Sequence, residues 1–495
     1  MEPRIQRELD TKHLMAVHRG VALDVLRGQP IRAYVSSQQS DTAPLECQVW
    51  RISPFGMDVI WQNNFAPLSS GAVDVTVVIG KQHISLKAVL AGEQFSENGA
   101  SLIALRFLQE NHAPRSGQIQ RAADRWRCDT MYPPTGETLQ AERFNSLVYF
   151  RLVDISRDGA QAVTSLRNNF LVPGLTLKCR IHFPTAESVK VDVTVMHVRR
   201  IDGESGEGCL ALGVRWAGRT AALHKQAGQY LLQFGKSEHG VPTLSALKKS
   251  GLQCLSAARG VDFSYVRSET DFQEVLQLRL TAFREVVPTA KDATPSDWSD
   301  MYDSRARILI GRHRGKIVAS CRIVYPSDTE ELEHEHFVKM PQTFPKRSDI
   351  VECGRVCVDP GFRGQDLLIA LFRYVVVTTL ESGRSHLLSN CTQHLLKMYE
   401  SIGCRRTGLE FIHPKDGSQH FLCMMNFKKA ICGIDIHPVK WHALFGEMWD
   451  QLEDFHPKKL SLIGKARLAT LLMARPGLAK IIQRKAVAPT KVAKR

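Results

Sequence analysis

The stretch LVYFRLVDISRDG, Leu147–Gly159, decides how the N-terminal half is read. Apolar and polar residues alternate through LVYFRLV, which is the period of a half-buried strand. The run ends in Asp154, Ser156 and Gly159 at D-x-S-x-x-G spacing. Taken alone, that ending is a turn, with Asp and Ser side chains bonding the local backbone and Gly allowing a tight reversal. A binding site at this place needs a partner motif elsewhere in the chain.

Working outward, the same texture occurs about a hundred residues earlier. CQVWRISPFGMDVIWQNNF begins at Cys47, and YFRLVDISRDGAQAVTSLRNNF begins at Tyr149. Each copy has an apolar strand, then I-S-x-x-G, a second strand and N-N-F. Each continues into alternating runs, VDVTVVI in the first and LTLKCRI with VKVDVTVMHVRR in the second. Period-two runs separated by turn residues predict two small antiparallel barrels of one kind. In the first copy Arg51 stands where the second has Asp154, while Ser53 and Gly56 are kept.

After about Phe234 the texture changes to a polar, basic linker, and from Phe263 helical and strand patterns alternate as in an α/β domain. DFQEVLQLRLTAFREVV has apolar residues at helical spacing. ARILIGRHRGKIVASCRIV predicts a hairpin turning at Arg314-Gly315. DIVECGRVCV is a strand, GQDLLIALFRYVVVTTLESG a buried helix ended by Gly383, SHLLSN a strand, QHLLKMYESIG a helix and HFLCMMNF a strand.

The bulk numbers bound the function. The 495 residues suggest about three or four domains. No stretch approaches the ~18 uncharged apolar residues of a membrane helix. The N-terminus MEPRIQRELD lacks the apolar core of a signal peptide. The 12 cysteines form no C-x-x-C pair, which points to free thiols in a reducing cytoplasm and away from a zinc site. Cys353 and Cys357 are read as core sulfur. His334 and His336, in ELEHEHF, are read as members of a polar loop and not as metal ligands. The net charge of +15 favours anionic partners, but no module or aromatic pattern supports nucleic acid. From Pro457 onward Lys and Arg recur with no Asp or Glu. That tail reads either as a basic helix packed on the protein or as one lying on an anionic membrane.

Upstream of Asp154, in QRAADRWRCD, Arg121 and Arg125 form R-x-x-x-R. With D-x-S-x-x-G about thirty residues later, residues from Gln118 to Phe234 resemble PilZ domains, which bind cyclic di-GMP. The chemistry suits that ligand. Guanine offers acceptors that match an arginine fork, and a phosphodiester also prefers Arg. Asp154 can accept from guanine N–H donors and Ser156 can add a hydroxyl contact, with Gly159 turning the backbone. No R-x-x-x-R precedes the first copy at a similar distance, so that barrel is expected to pack against the second or tune it.

In the C-terminal half the pieces occur in a fixed order. They are L-R-x-x-x-F with Arg279 and Phe283, D-x-x-D with Asp300 and Asp303, C-x-R with Arg322, and E-x-x-R with Glu352 and Arg355. This order resembles the acyl-homoserine-lactone synthases and N-acyl amino acid synthases, branches of the GNAT acyltransferases, from about Phe263 to Lys428. The resemblance implies a splayed pair of strands at Val351–Val358. It also implies Glu352 as base, and an ion-pair network of Arg279, Asp300, Asp303, Arg322 and Arg355 that positions the acceptor. Val358, Arg363 and Gly364 open the donor-phosphate loop. There Asp366 and Leu368 replace the small residues of the family pattern. An acidic residue at the helix mouth disfavours the pyrophosphate of coenzyme A and favours acyl carrier protein, whose acidic surface would suit Arg363, Arg373, Arg384 and Lys397.

The expected architecture is therefore multidomain. It comprises a degenerate PilZ-like barrel at 1–115, a PilZ barrel at 116–235, a linker at 236–262, a mixed α/β GNAT-like domain at 263–430 and a basic helical tail at 431–495. The expected protein is a cytoplasmic, cyclic di-GMP-responsive N-acyltransferase, possible contact with the membrane being through its tail. It would move a fatty acyl group from acyl carrier protein or coenzyme A to an amino acid or related amine. Two rivals stay open: a homoserine-lactone-type signal synthase, and a non-catalytic cyclic di-GMP effector with an inactive acyltransferase fold.

Overall fold

The computed structural model describes residues 17–19, 23–25, 31–37, 43–62, 71–95, 100–108, 124–139, 147–184, 187–202, 208–237, 240–254, 256–284, 287, 292–364, 366–414, 417–452 and 460–487. The chain divides into two compact units, Met1–Pro242 with Leu247–Cys254, and Thr243–Ala246 with Leu255–Arg495. The division falls within the stretch expected to be a linker.

The first unit holds two barrels. One is built from β1 (Leu23–Asp24), β2 (Ile31–Ser37), β3 (Leu45–Ser53), β4 (Gly56–Gln62), β5 (Ala72–Ile79), β6 (Gln82–Phe95) and β7 (Ala100–Phe107). Strands β3-β2-β5-β6-β7-β4 close back onto β3, and β1 adds to the rim of β3. Alternation explains the closure: Val73, Val75 and Val77 point inward with Val49, Met57, Val59, Ile103 and Leu105 to form one core. Closure also removes exposed strand edges.

The other barrel repeats this plan with β8 (Trp126–Arg127), β9 (Thr135–Leu139), β10 (Leu147–Ile155), β11 (Gly159–Ser165), β12 (Thr176–His182), β13 (Val189–Asp202) and β14 (Gly208–Ala217). The ring runs β10-β9-β12-β13-β14-β11 and back to β10, with β8 on the rim of β10. Helix α1 (Ala221–Phe234) follows, and its Tyr230 is fully buried. The Tyr230 hydroxyl accepts from the Asp129 N–H at 2.9 Å and donates to the Tyr132 carbonyl at 3.0 Å. The barrels pack on each other. Gln82 of β6 donates to the Thr176 carbonyl at 2.7 Å and accepts from the Thr176 N–H at 2.8 Å, and Val172 joins the core of the first barrel.

The second unit is a seven-stranded sheet in the order β15 (Asp262–Tyr265), β16 (Ala306–His313), β17 (Lys316–Val324), β18 (Ile350–Val358), β19 (His386–Thr392), β21 (Gln419–Asn426), β20 (Arg405–Ile412). The β16–β17 turn has Arg314 at φ 50° and Gly315 at φ 86°, the left-handed pair that a two-residue hairpin requires. Only β18 and β19 are parallel. Helix α2 (Glu269–Arg284) buries Val275, Leu278 and Ala282 against Ile308, Ile310 and Ile317. Helix α3 (Leu367–Glu381) is apolar nearly all round and buried, and α4 (Gln393–Ser401) follows β19. Short helical turns lead to α5 (Leu462–Val487).

Candidate functional site

Two places bring the sequence motifs together. On the second barrel, β10 delivers Asp154 to the rim, opposite Gln161 of β11. Asp154 accepts from the Gln161 N–H at 2.8 Å and from Arg125 at 3.2 and 3.3 Å. Arg121 lies outside the described residues. Ser156 is buried, donating to the Gly159 carbonyl at 3.0 Å and accepting the Gly159 N–H at 3.1 Å. Ser156 therefore closes the turn in this structure, where the sequence suggested a hydroxyl turned to the ligand. Gly159 is needed for close approach: a Cβ there would lie 2.1 Å from the Val214 carbonyl oxygen.

In the second unit, the parallel pairing of β18 and β19 covers Ile350 with His386, Val351 with Leu387 and Glu352 with Leu388, and then stops. Beyond it β18 stays on β17 and β19 stays on β21, so the two strands part. Arg355 sits just past this point with φ 51°, where the β17–β18 register shifts. A side chain in that left-handed conformation is costly and is held there by the surrounding strands.

Arg279 on α2, Asp300 and Asp303 before β16, Arg322 on β17 and Arg355 on β18 converge. Arg279 holds Asp303 bidentately, both bonds 2.8 Å, and donates to the Trp298 carbonyl at 3.0 Å. Arg322 bridges Asp300, Asp303 at 3.3 Å and Glu333 at 2.6 Å. Arg355 reaches Asp300 at 2.7 Å. Arg279 and Arg322 are buried, whereas Asp300 and Arg355 keep some solvent access. Burial pushes the Asp300 carboxyl up, but the Arg322 and Arg355 guanidinium groups outweigh it and hold the group at about 2. Asp303 is likewise lowered against burial, by Arg279 and then Arg322. Burial lowers Arg322, but Glu333, Asp300 and Asp303 outweigh it and raise it.

Glu352 is buried, and its carboxylate is enclosed by the Leu332–His336 turn. It accepts from the Glu333 N–H at 2.9 Å, the His334 N–H at 3.3 Å and the His334 imidazole at 2.8 Å. A carboxylate only accepts, so the Nδ1 of His334 carries the proton and its Nε2 faces the Asn390 side chain at 2.9 Å. Asn390 in turn lies 3.1 Å from His420. His334 lies in the turn between strands that the sequence suggested, but is buried there as the partner of Glu352. Glu333, His334 and Asn390 escaped the sequence reading. No spacing links them to Glu352, and only His334 drew notice, as part of the EHEH run.

Two further expectations are corrected. Asp366 does not cap α3. Its carboxylate accepts from the Ser256 hydroxyl at 2.5 Å and the Ala257 and Ala258 N–H groups at 2.8 and 3.2 Å, so it is turned away from the helix mouth. Of the cations expected to face a carrier protein, Arg384 donates to the carbonyls of Pro326, Arg347 and Ile350, Arg373 to Ala443 and Glu447, and Arg363 to Ala282. Lys397 is exposed. Val358 ends β18, and Gly364 has φ 80° in the loop before α3. The cysteines are free, and Cys321, Cys353 and Cys357 are buried. Among the described residues no group of three or more His, Cys, Asp or Glu is placed to hold a metal ion.

Residues 278–373 match the acetyltransferase (GNAT) domain family. The stretch from Leu278 on α2 to Arg373 midway along α3 is thus similar to a GNAT acetyltransferase domain. No curated protein matches the chain by sequence. Among solved structures, it is similar to FeeM, an N-acyl amino acid synthase from uncultured soil microbes, at 8% identity, covering 35% of this chain and 94% of that one with a TM-score of 0.29. It is similar to the acyl-homoserine-lactone synthase LasI at 15% identity, covering 38% and 94%, TM-score 0.29. It is also similar to MrkH of K. pneumonia in complex with cyclic di-GMP at 16% identity, covering 42% and 86%, TM-score 0.19. Likeness at this level carries no functional argument, which rests below on the geometry and the GNAT match.

Proposed function

We propose that the protein is a cyclic di-GMP-responsive N-acyltransferase that joins a fatty acyl group to the amine of an amino acid. The observation that carries the catalytic part is the charged cluster beside the parting strands. Arg279, Arg322 and Arg355 face Asp300, Asp303, Glu333 and Glu352, three guanidinium groups against four carboxylates, one positive charge short. An acceptor arriving as an ammonium ion supplies that charge at the open Asp300–Arg355 edge, where Arg355 can also hold a carboxylate.

Glu352, oriented by the His334 imidazole and the Glu333 and His334 N–H groups, is the base that receives the ammonium proton. The freed amine attacks the thioester carbonyl. The C–S bond breaks, and the second nitrogen proton goes to the leaving thiolate. Backbone N–H groups of β18 beyond Glu352, freed from β19, suit the oxyanion. The donor thioester lies along the loop from Val358 to Gly364, on carrier protein or coenzyme A. Asp366 is tied to residues 256–258 and raises no barrier against either donor. Arg125 and Asp154, with Arg121, hold the guanine and phosphate groups of the regulator.

The test is to incubate the full chain with palmitoyl thioesters of coenzyme A and of acyl carrier protein and an equimolar mixture of amino acids, with and without cyclic di-GMP. Mass spectrometry should show N-palmitoyl amino acids, at a rate that the nucleotide changes and that Glu352→Ala abolishes. No amide from either donor sinks the catalytic reading. Amide formation that ignores the nucleotide removes the regulation alone.

A further inference from the structure

Helix α5 runs for 26 residues with no Asp or Glu, and Lys465, Arg467, Arg475, Lys480, Arg484 and Lys485 give it a strong positive charge. One face is packed. Leu468 and Leu478 are buried, Gly464 sits against Cys432, Leu471 reaches Gly433, and Arg475 pairs with Asp450 at 2.9 and 3.1 Å. The opposite face is not polar, as a solvated helix face would be. Leu462, Ala466, Ala469 and Met473 follow at spacings of four, three and four, which sets them in one stripe. Leu462 is 84% exposed, the adjacent Ile463 74% and Met473 77%. Lys465 is exposed beside them.

We infer that this outer face of α5 is a docking surface for an anionic phospholipid bilayer. The pairing of exposed aliphatic side chains with exposed Lys465, on a helix whose charged residues are all cationic, fits the boundary between acyl chains and anionic headgroups, where each has a partner. A nucleic acid would satisfy the cations and leave Leu462, Ile463 and Met473 in water. The helix also has no aromatic residue on which a base could stack. No helix among the described residues is long and apolar enough to cross a membrane, so the contact lies in the plane of the surface. The inference does not depend on the acyl-transfer reading.

The experiment is co-sedimentation of the full chain with vesicles of phosphatidylcholine, and of phosphatidylcholine mixed with phosphatidylglycerol, at low and high salt. Binding to the mixed vesicles should exceed binding to phosphatidylcholine on the order of tenfold, and should weaken with salt. The double variant Leu462→Asp, Met473→Asp should lose on the order of tenfold in binding while keeping the parent's thermal midpoint. Equal sedimentation with both vesicles overturns the proposal, as does a folded double variant that binds like the parent. Retention of duplex DNA in a gel, equal for parent and double variant and without vesicle binding, assigns the charge to nucleic acid and overturns it as well.

Discussion

The two barrels place the same turn at the same point and surround it differently. In the first, Arg51 faces Asp58 across the β3–β4 hairpin, and in the second, Asp154 faces Gln161 across β10–β11. Both pairs follow a register shift, and both serines bond a glycine three residues on. A Cβ at either glycine would strike a carbonyl oxygen, that of Leu105 at 2.4 Å in one and that of Val214 at 2.1 Å in the other. The charge beside the turn is what differs. Arg51 reaches Asp58 at 2.6 and 2.7 Å, and His18 closes over both Asp58 at 3.2 Å and Ser53 at 2.7 Å. Among the described residues the cation that meets Asp154 is Arg125, from the segment before β8. The Arg51 side chain is 7% exposed and that of Arg125 is 37% exposed. A charge neutralised within the strands is structural. One neutralised by an exposed arginine can exchange that partner for a ligand.

The largest effect that could break this comparison is on stability. Asp58→Ala leaves the Arg51 guanidinium buried without a carboxylate, which should cost about 3–5 kcal/mol. Asp154→Ala removes a partly exposed pair and should cost less than about 1 kcal/mol. Urea unfolding of the full chain, followed by circular dichroism, reads both. Equal losses would mean that the second turn is as sealed as the first.

The next effect sharpens the comparison from the ligand side. Asp154→Ala should weaken cyclic di-GMP binding roughly tenfold to a hundredfold in calorimetry, from the loss of charge-assisted bonds worth about 1.5–3 kcal/mol. Arg51→Met in the first barrel should leave the affinity unchanged. A matching loss from Arg51→Met would place nucleotide on the first barrel too.

The comparison also shows what a sequence can and cannot display. Both barrels were legible because β3, β5, β10 and β13 alternate with period two, and the I-S-x-x-G repeat aligned them. The hairpin at Arg314-Gly315 was legible from its turn chemistry. The converging arginines and aspartates were legible as an ordered set of motifs. What the sequence hid was direction. Asp366 stands at a helix mouth in sequence, yet its carboxylate turns to the backbone of residues 256–258. Arg384 counts toward a basic surface but is consumed by three carbonyls, that of Pro326 after β17 and those of Arg347 and Ile350 around the start of β18. His334 belongs to a run rich in charge and is nonetheless buried against Glu352. In each case the partner lies on an element distant in sequence, so no local pattern could name it.

The smallest effect concerns the charged cluster, which combines both conditions of the barrels: Arg279 and Asp303 are sealed, while Asp300 and Arg355 form an open edge. Asp300 titrates at about 2 in the folded protein, below its ordinary 3.8, because two guanidinium groups outweigh its burial. A carboxyl lowered on folding stabilises fully above its unfolded value, and that stability is lost as pH falls through the folded one. The loss should amount to about 2 kcal/mol between roughly pH 4 and pH 2. Unfolding free energy measured down this range should fall more steeply for the parent than for Asp300→Asn, which has no proton to gain. Parallel slopes would show that solvent at the open edge screens Asp300 as it screens Arg125, and that the charged cluster resembles the second barrel's exposed pair rather than a blend of both.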